Sequence, residues 1–341
     1  MKILLYSESQ NIMAKSGVGK ALSHQKQALK SAGVDFTTDP NDDYDLAHIN
    51  TIGFGSEKIL KKTQTQGKPV VYHAHTTFED FRNSFIFSNT ISHYILHRLK
   101  KLYTKADFLI FPSEHTKATI AKHNINTPGA VISNGVNTKE FVNHPEFFLK
   151  FKKEYNISKP VIVSIGLPFM RKGVFDFCEV ASKLTDFEFF WFGAKWSSLL
   201  PFSVRKLLKN PPPNVHFPGY VPFEILLGAI SGANLFFFPT YEENEGIVVL
   251  EALSAKCPVL IRDIPVYEKW MQDGVNCYKG RNNEEFVELI KKSITDPKRE
   301  VLVKNGRETA RTRDLEIVGH KLKKTYEKLL KEKELYKSMQ N

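Results

Sequence analysis

A chain of 341 residues, 42% hydrophobic and 25% charged, is long enough for two ordinary domains and too apolar for disorder. Its net charge of +11 suits nucleic acid, anionic lipid headgroups or an anionic small substrate, yet zinc-finger spacing, an arginine-rich recognition helix and an aromatic RNA-binding signature are all missing, so nucleic acid is not the expected partner. Cys178, Cys257 and Cys277 lie far apart without metal-ligand spacing, no run approaches the roughly 20 apolar residues of a membrane span, and the apolar run in Met1 to Tyr6 is too short for a signal peptide; the expected compartment is the cytoplasm.

In chain order, Lys2 to Ser7 reads as a strand. A loop with Ser16-Gly17-Val18-Gly19 follows, then a helix to about Ala32 closed by Gly33. Strand, glycine loop and helix open a Rossmann-like unit, where small residues let a ligand approach the backbone. Further strands are expected at 46–49, 70–75, 108–111 and 130–133, separated by helices at 57–66, 89–105 and 114–123. Alternation of this kind gives a doubly wound parallel α/β sheet.

Residues near 145–159 are polar and lysine-rich and read as an interdomain linker. A second series of strands then begins at Pro160 to Gly166 and continues at 189–193, 214–217, 235–238 and 258–261. From Asn283 onward helices dominate, the last covering about Asp314 to Tyr336. The expected domains are 1–155 and 156–312, with 313–341 as a terminal helix.

The stretch from Leu235 to Ala255 is the most informative. An apolar strand ends at Pro239, which cannot donate to a ladder. Glu242, Glu243 and Glu245 crowd a short loop, Gly246 follows, and Ile247 to Ala255 is apolar at helical spacing. Carboxylates thus lie past the carboxyl end of a strand and beside a helix amino end, the place where open parallel sheets bind ligands. Acids at a helix start also offset the helix dipole.

The pattern Glu243, seven residues, Glu251 resembles the donor-site signature of the family 4 retaining glycosyltransferases. The resemblance implies a GT-B fold: two Rossmann-like domains facing an interdomain cleft, with the C-terminal helix returning to the first domain. It implies that Glu243 contacts the donor sugar and Glu251 the ribose hydroxyls, with Asn244, Glu245, Gly246 and Ile247 beside them. The family supplies a lysine before a glycine for the diphosphate, matched by Lys172 in Gly166-Leu167-Pro168-Phe169-Met170-Arg171-Lys172-Gly173. Leu167 occupies the usual arginine position, and Arg171 is the stand-in. Gly17, Gly19, Gly166, Gly193 and Tyr220 fall where the family approaches the nucleotide sugar.

His75 matches the family's histidine near the donor sugar. His73 shares its strand face, formally a metal pair, but no third ligand is evident and no metal or other cofactor is expected. Ser16, Ser113, Asn134 and Gly135 match cleft-lining segments, although Ser113 also suits a helix N-cap and Asn134-Gly135 a turn.

For the acceptor, Asn89 to Lys105 places Ile91, Ile95, Leu99 and Leu102 at helical spacing among Arg98, Lys100, Lys101 and Lys105. That pattern suits a helix lying on an anionic membrane, and equally one packing on its own sheet. Aromatics in Phe78 to Phe87, with Arg82, suit an adjoining lipid-facing loop. Segments such as Lys15 to Leu22, Asp80 to Ile86, Trp191-Phe192-Gly193 and Arg262 to Tyr267 are similar to the bacterial diglycosyldiacylglycerol synthases. That likeness implies a peripheral enzyme at the cytoplasmic face of the membrane, moving hexose from UDP-glucose or UDP-galactose in α-linkage onto monoglucosyldiacylglycerol. The rivals are a soluble family 4 enzyme acting on a polysaccharide, cell-wall polymer or protein, and a non-catalytic nucleotide-sugar-binding protein.

Overall fold

The computed structural model describes residues 1–8 and 17–340. The chain forms two compact units: one of residues 1–79, 90–135 and 313–341, the other of 80–89 and 136–312. Each is built on a six-stranded sheet in which every strand pairing is parallel.

The first sheet holds β1 (Lys2–Tyr6), β2 (Asp35–Thr37), β3 (Leu46–Ile49), β4 (Val70–His73), β5 (Phe108–Phe111) and β6 (Gly129–Val131) in the order β2-β1-β3-β4-β5-β6. The helices described in this part of the chain begin with α1 (Gly17–Ser31), α2 (Phe54–Thr65), α3 (Phe78–Phe81), α4 (Ser88–Tyr103) and α5 (Glu114–Ala121). The sheet is covered on both faces, which is why its strands read as near-continuous apolar runs. Ile3 and Leu5 face a core with Leu22, Leu29, Val318 and Leu322, while Leu4 faces another with Ile49, Tyr72, Leu99 and Leu102.

The second sheet holds β7 (Val161–Ile165), β8 (Glu188–Phe192), β9 (Val215–Gly219), β10 (Leu235–Phe238), β11 (Val259–Arg262) and β12 (Tyr278–Gly280), in the order β12-β11-β10-β7-β8-β9. This is the doubly wound order in which the chain reverses between its first strand, β7, and its fourth, β10. The helices after β6 are α6 (Pro145–Glu154), α7 (Val174–Ser182), α8 (Phe202–Lys209), α9 (Phe223–Gly232), α10 (Ile247–Ser254), α11 (Asn283–Thr295), α12 (Arg299–Arg311) and α13 (Leu315–Gln340). The period of two along β10 divides its side chains: Phe236 and Phe238 join Val163 and Phe190, whereas Leu235 and Phe237 join Phe177 and Trp191.

The final helix, α13, belongs to the first unit. Leu315, Val318, Leu322, Tyr326 and Leu329 pack with Leu22, Ala28, Leu29 and Ala32, and the Tyr326 hydroxyl lies 2.6 Å from His48 Nδ1.

The expected linker at 145–159 is instead largely the helix α6, and the units divide after Gly135. Phe151 is fully buried, Phe147 and Phe148 pack against the same core, and Gly228 and Gly232 of α9 leave room for them. The lysines on the outer face of α6 give the segment its linker-like composition. The short strands β2 and β12, three residues each, carry too little periodicity to be read from sequence.

Candidate active site

The reversal between β7 and β10 brings two loops together in the second unit. After β7, the chain makes a 3-10 turn at Met170–Lys172 and enters α7 through Gly173. After β10, Pro239 to Gly246 leads into α10. Gly173 has φ 77°, and a Cβ there would collide with the Pro239 backbone, so only glycine lets the two loops approach this closely. Gly246, at φ 92°, likewise admits the buried Tyr267 hydroxyl.

At this junction the Lys172 ammonium donates to the Glu243 carboxylate. Thr240 Oγ1 donates to the same oxygen, Glu243 Oε1, at 3.0 Å. Both charged side chains are largely buried. Burial pushes the Lys172 pKa below its ordinary value, and Arg171 adds to this while Glu243 opposes it. Arg171 forms an ion pair with Asp80 Oδ1 at 2.8 Å, donates to Ser84 Oγ at 2.9 Å, and reaches the Glu242 carbonyl at 3.2 Å. Two cations and a buried carboxylate therefore share one end of the sheet. This arrangement can bind a diphosphate and a hydroxyl-bearing ring side by side.

Glu245 and Glu251 are also buried, Glu251 one turn into α10. Asn244 lies on the same loop two residues before Gly246, and Ile247 after it opens the helix. Gly166 and Gly193 follow the neighbouring strands β7 and β8, joined through Gly166 N to Phe192 O at 2.9 Å, and Trp191 Nε1 donates to Gly166 O at 2.8 Å. Tyr220 follows β9 and is part-exposed, its hydroxyl pKa raised by burial. Most of the donor-site residues expected in this half thus fall on the loops at the carboxyl end of the sheet's strands.

Sequence reading missed four contributors. Thr240, Asp80 and Ser84 orient the charged groups; Asp80 and Ser84 lie in the segment that carried the family likeness, but nothing in it pointed to Arg171. Arg262, buried at the end of β11, pairs with Asp176 at 2.9 Å and lies 4.0 Å from the Tyr241 ring centre, while Tyr241 donates to the same Asp176 oxygen at 2.8 Å. This cluster braces the Pro239–Gly246 loop from behind, with Arg262 Nε donating to Pro239 O at 3.1 Å.

In the first unit, His75 follows β4, two residues past the strand's last paired residue, His73. His75 Nε2 lies 2.9 Å from Asn50 Oδ1 and 3.3 Å from Gln25 Nε2. Gln25 Nε2 donates to the same oxygen at 2.8 Å and to His73 Nδ1 at 2.7 Å. The rings of His73 and His75 stack at 3.9 Å, and those of His48 and His73 at 5.3 Å. Burial lowers the pKa of His75 and of His48 to about 3, and holds that of His73 well below the ordinary range. Burial thus holds His75 as a neutral imidazole.

Ser113 caps α5, its hydroxyl accepting from Thr116 N at 3.1 Å. Gly135 packs against Leu315 and Val318 of α13, and its carbonyl accepts from His24 Nδ1 at 2.9 Å; Asn134 beside it is buried. Gly17 and Gly19 form the first turn of α1. Ser16 lies outside the described residues.

The expected membrane-facing helix requires correction. Leu99 and Leu102 of α4 are buried in the first unit's core and Ile95 packs against it. Arg98 is only 5% exposed: its guanidinium lies 2.5 Å from Glu57 and donates to the Ile52 and Gly53 carbonyls at 3.0 Å and 2.7 Å. Lys101 also pairs with Glu57, at 2.8 Å, and Lys101, Arg98 and Lys61 together lower the Glu57 pKa to about 2. The apolar face thus covers the sheet, and the Arg98 charge is committed internally. Lys100 and Lys105 remain exposed. Among the described residues, no helix is long and apolar enough to cross a membrane.

Residues 26–140 match the glycosyltransferase family 4 pattern, and residues 146–309 match that of the glycosyl transferases group 1. The chain is 40% identical over 334 residues to the processive diacylglycerol alpha-glucosyltransferase of Acholeplasma laidlawii, covering 97% of this chain and 99% of that protein. It is 24% identical over 318 residues to the alpha-galactosylglucosyldiacylglycerol synthase of Streptococcus pneumoniae, covering 87% and 81% respectively. Among solved structures, Anabaena HepE in complex with UDP-glucose aligns with a TM-score of 0.77 at 16% identity, over 96% of this chain and 100% of that one. Sucrose-phosphate synthase from Thermosynechococcus elongatus aligns at 0.80 and 18%, over 96% and 99%. Two parallel six-stranded sheets, a charged cluster at the reversal of the second, and near-full-length identity to a named glycosyltransferase lead to one assignment: the chain belongs to the glycosyl transferases group 1 and is a GT-B glycosyltransferase.

Proposed function

We propose that this enzyme transfers a hexose from a UDP-sugar, with retention and in α-linkage, onto a glucosyldiacylglycerol at the membrane surface. The observation that carries the donor half is the Lys172–Glu243 contact beside Arg171 at the reversal of a nucleotide-binding sheet. A departing nucleoside diphosphate gathers negative charge, and two adjacent cations in a partly dry site stabilise it. Glu243 is assigned to the sugar hydroxyls and Glu251 to the ribose. We assign no protein nucleophile. The leaving phosphate takes the proton from the attacking hydroxyl on the same face, so the protein's contribution is positioning and electrostatics.

The acceptor draws on two relatives: the name of the 40%-identical one specifies diacylglycerol and glucose, and that of the 24%-identical one a glucosyldiacylglycerol. UDP-glucose is accordingly the first donor to test, with UDP-galactose as the alternative offered by the 24%-identical one. The exposed basic side of α4 supports a peripheral membrane association. There His97, Lys100, Lys101, Thr104, His123 and Asn124 line a shallow cavity of about 300 Å³, which suits anionic headgroups.

The test is transfer from labelled UDP-glucose and UDP-galactose to monoglucosyldiacylglycerol in mixed vesicles. An α-linked dihexosyl lipid is the expected product. Transfer only to soluble acceptors would favour a soluble family 4 enzyme, and UDP-sugar binding without any turnover would make the chain a non-catalytic binder.

A further inference from the structure

The second unit exposes a set of large apolar side chains around one loop. Trp196 is 59% exposed, Leu199 67% and Phe202 73%, the last opening the helix α8. Phe87 joins them at 73% exposed, because Ile86 N donates to Leu199 O at 3.0 Å and so pins the 80–89 segment to this loop. Phe87 is also held at φ 66°, a backbone conformation that aromatic residues seldom adopt. Single exposed apolar residues are ordinary, but four gathered on adjoining segments mark a contact surface.

The stretch that carries Trp196, Leu199 and Phe202 has charge of one sign. From Phe189 to Phe223 the sequence contains no Asp or Glu, while it contains Lys195, Arg205, Lys206 and Lys209. Lys206 and Lys209 are exposed on α8 at positions i+4 and i+7 from Phe202, so they share its face. Val204, on the opposite face, is buried in the unit's core. Aromatic and leucine side chains rimmed by lysine and arginine match the boundary between headgroups and acyl chains of an anionic bilayer.

We propose that Phe87, Trp196, Leu199 and Phe202 form a lipid-inserting surface on the nucleotide-binding unit, with Lys195, Arg205, Lys206 and Lys209 on anionic headgroups. This rests on the reading of the enzyme as membrane-associated, and it adds a contact separate from the basic side of α4. The 80–89 segment also holds Arg171, through Asp80 and Ser84. The residue chain that reaches lipid at Phe87 therefore ends on a donor-site cation.

Trp196 provides its own reporter, because the other two tryptophans, Trp191 and Trp270, pack in the unit's cores. The full-length protein is mixed with phosphatidylcholine–phosphatidylglycerol vesicles, with and without brominated phosphatidylcholine. Vesicle sedimentation, a blue shift of the emission and its quenching by bromine are the expected results, the shift and quenching vanishing in Trp196→Phe. Trp196→Ser/Leu199→Ser/Phe202→Ser should lower partitioning by about tenfold or more, with an unchanged melting temperature because these side chains are exposed. Sedimentation without quenching would overturn this surface and leave the membrane reading intact. Failure of the unmodified protein to sediment would overturn both. Self-association that the triple variant abolishes, again without quenching, would make the patch a protein interface and refute the proposal.

Discussion

Lys172 and Glu243 meet at the two loops where the second sheet reverses direction, and Thr240 donates to the carboxylate oxygen they share. The carboxylate is thus aimed by a cation from one loop and a hydroxyl from its own. On the proposed roles, Lys172→Ala would remove a charge that stabilises the leaving diphosphate, and Glu243→Ala a contact to the donor sugar. Each is expected to lower kcat by about 100- to 1,000-fold, read as UDP release with glycolipid acceptor. Near-normal turnover in either variant would refute the assigned roles.

Arg171 is oriented by Asp80 and Ser84, so it should depend on them. Asp80→Ala is expected to lower kcat/KM for the UDP-sugar by roughly tenfold, and Arg171→Lys should not restore function, because an ammonium cannot reproduce the planar fork. Initial-rate kinetics on the two variants checks this. An Asp80→Ala enzyme with unaltered KM and kcat would show that Arg171 needs no such support.

Gly173 joins the two loops at a φ that side chains avoid. Gly173→Ala is expected to destabilise the second unit by about 2 kcal/mol or more, since a Cβ would press on the Pro239 backbone. Calorimetry of the variant reads this directly. Donor binding should weaken with it, because Lys172 is the preceding residue.

The buried histidines of the first unit set its acid stability. His24 has its pKa lowered to about 4, mainly by burial, and His48 and His75 theirs to about 3. Below the ordinary histidine pKa near 6.5 the unfolded chain binds protons that the folded unit does not, so stability rises with pH across that window. The melting temperature should be flat above about pH 7 and fall steadily as pH drops from 6.5 towards 4. His48→Gln should make this slope shallower. By the same reasoning His75 should produce no limb near pH 6.5 in the rate profile.

Much of the fold was legible because it depends on local periodicity. Leu235 to Phe238 is a run of four apolar residues ending at a proline, and any sheet that buries both faces of such a strand will place Glu243 beyond its carboxyl end. Lys172 before Gly173 and the Glu243–Glu251 spacing were readable as short patterns resembling a known family's, because each lies within one loop and the start of the helix that follows it. The 145–154 helix was misread because a lysine-rich outer face outweighs a buried phenylalanine in composition. Arg98 was misread because an amphipathic helix shows which face is apolar and not what covers it.

The sequence by itself determined two parallel α/β sheets, their alternation of strand and helix, and the chemical kind of residue at each strand end. Tertiary structure alone decided the partners. Asp80 and Ser84 lie some ninety residues before Arg171, Thr240 aims Glu243, and Gln25 and Asn50 orient His75. Periodicity is a property of neighbours along the chain, whereas a hydrogen bond between distant loops exists only once the sheet order has brought their ends together.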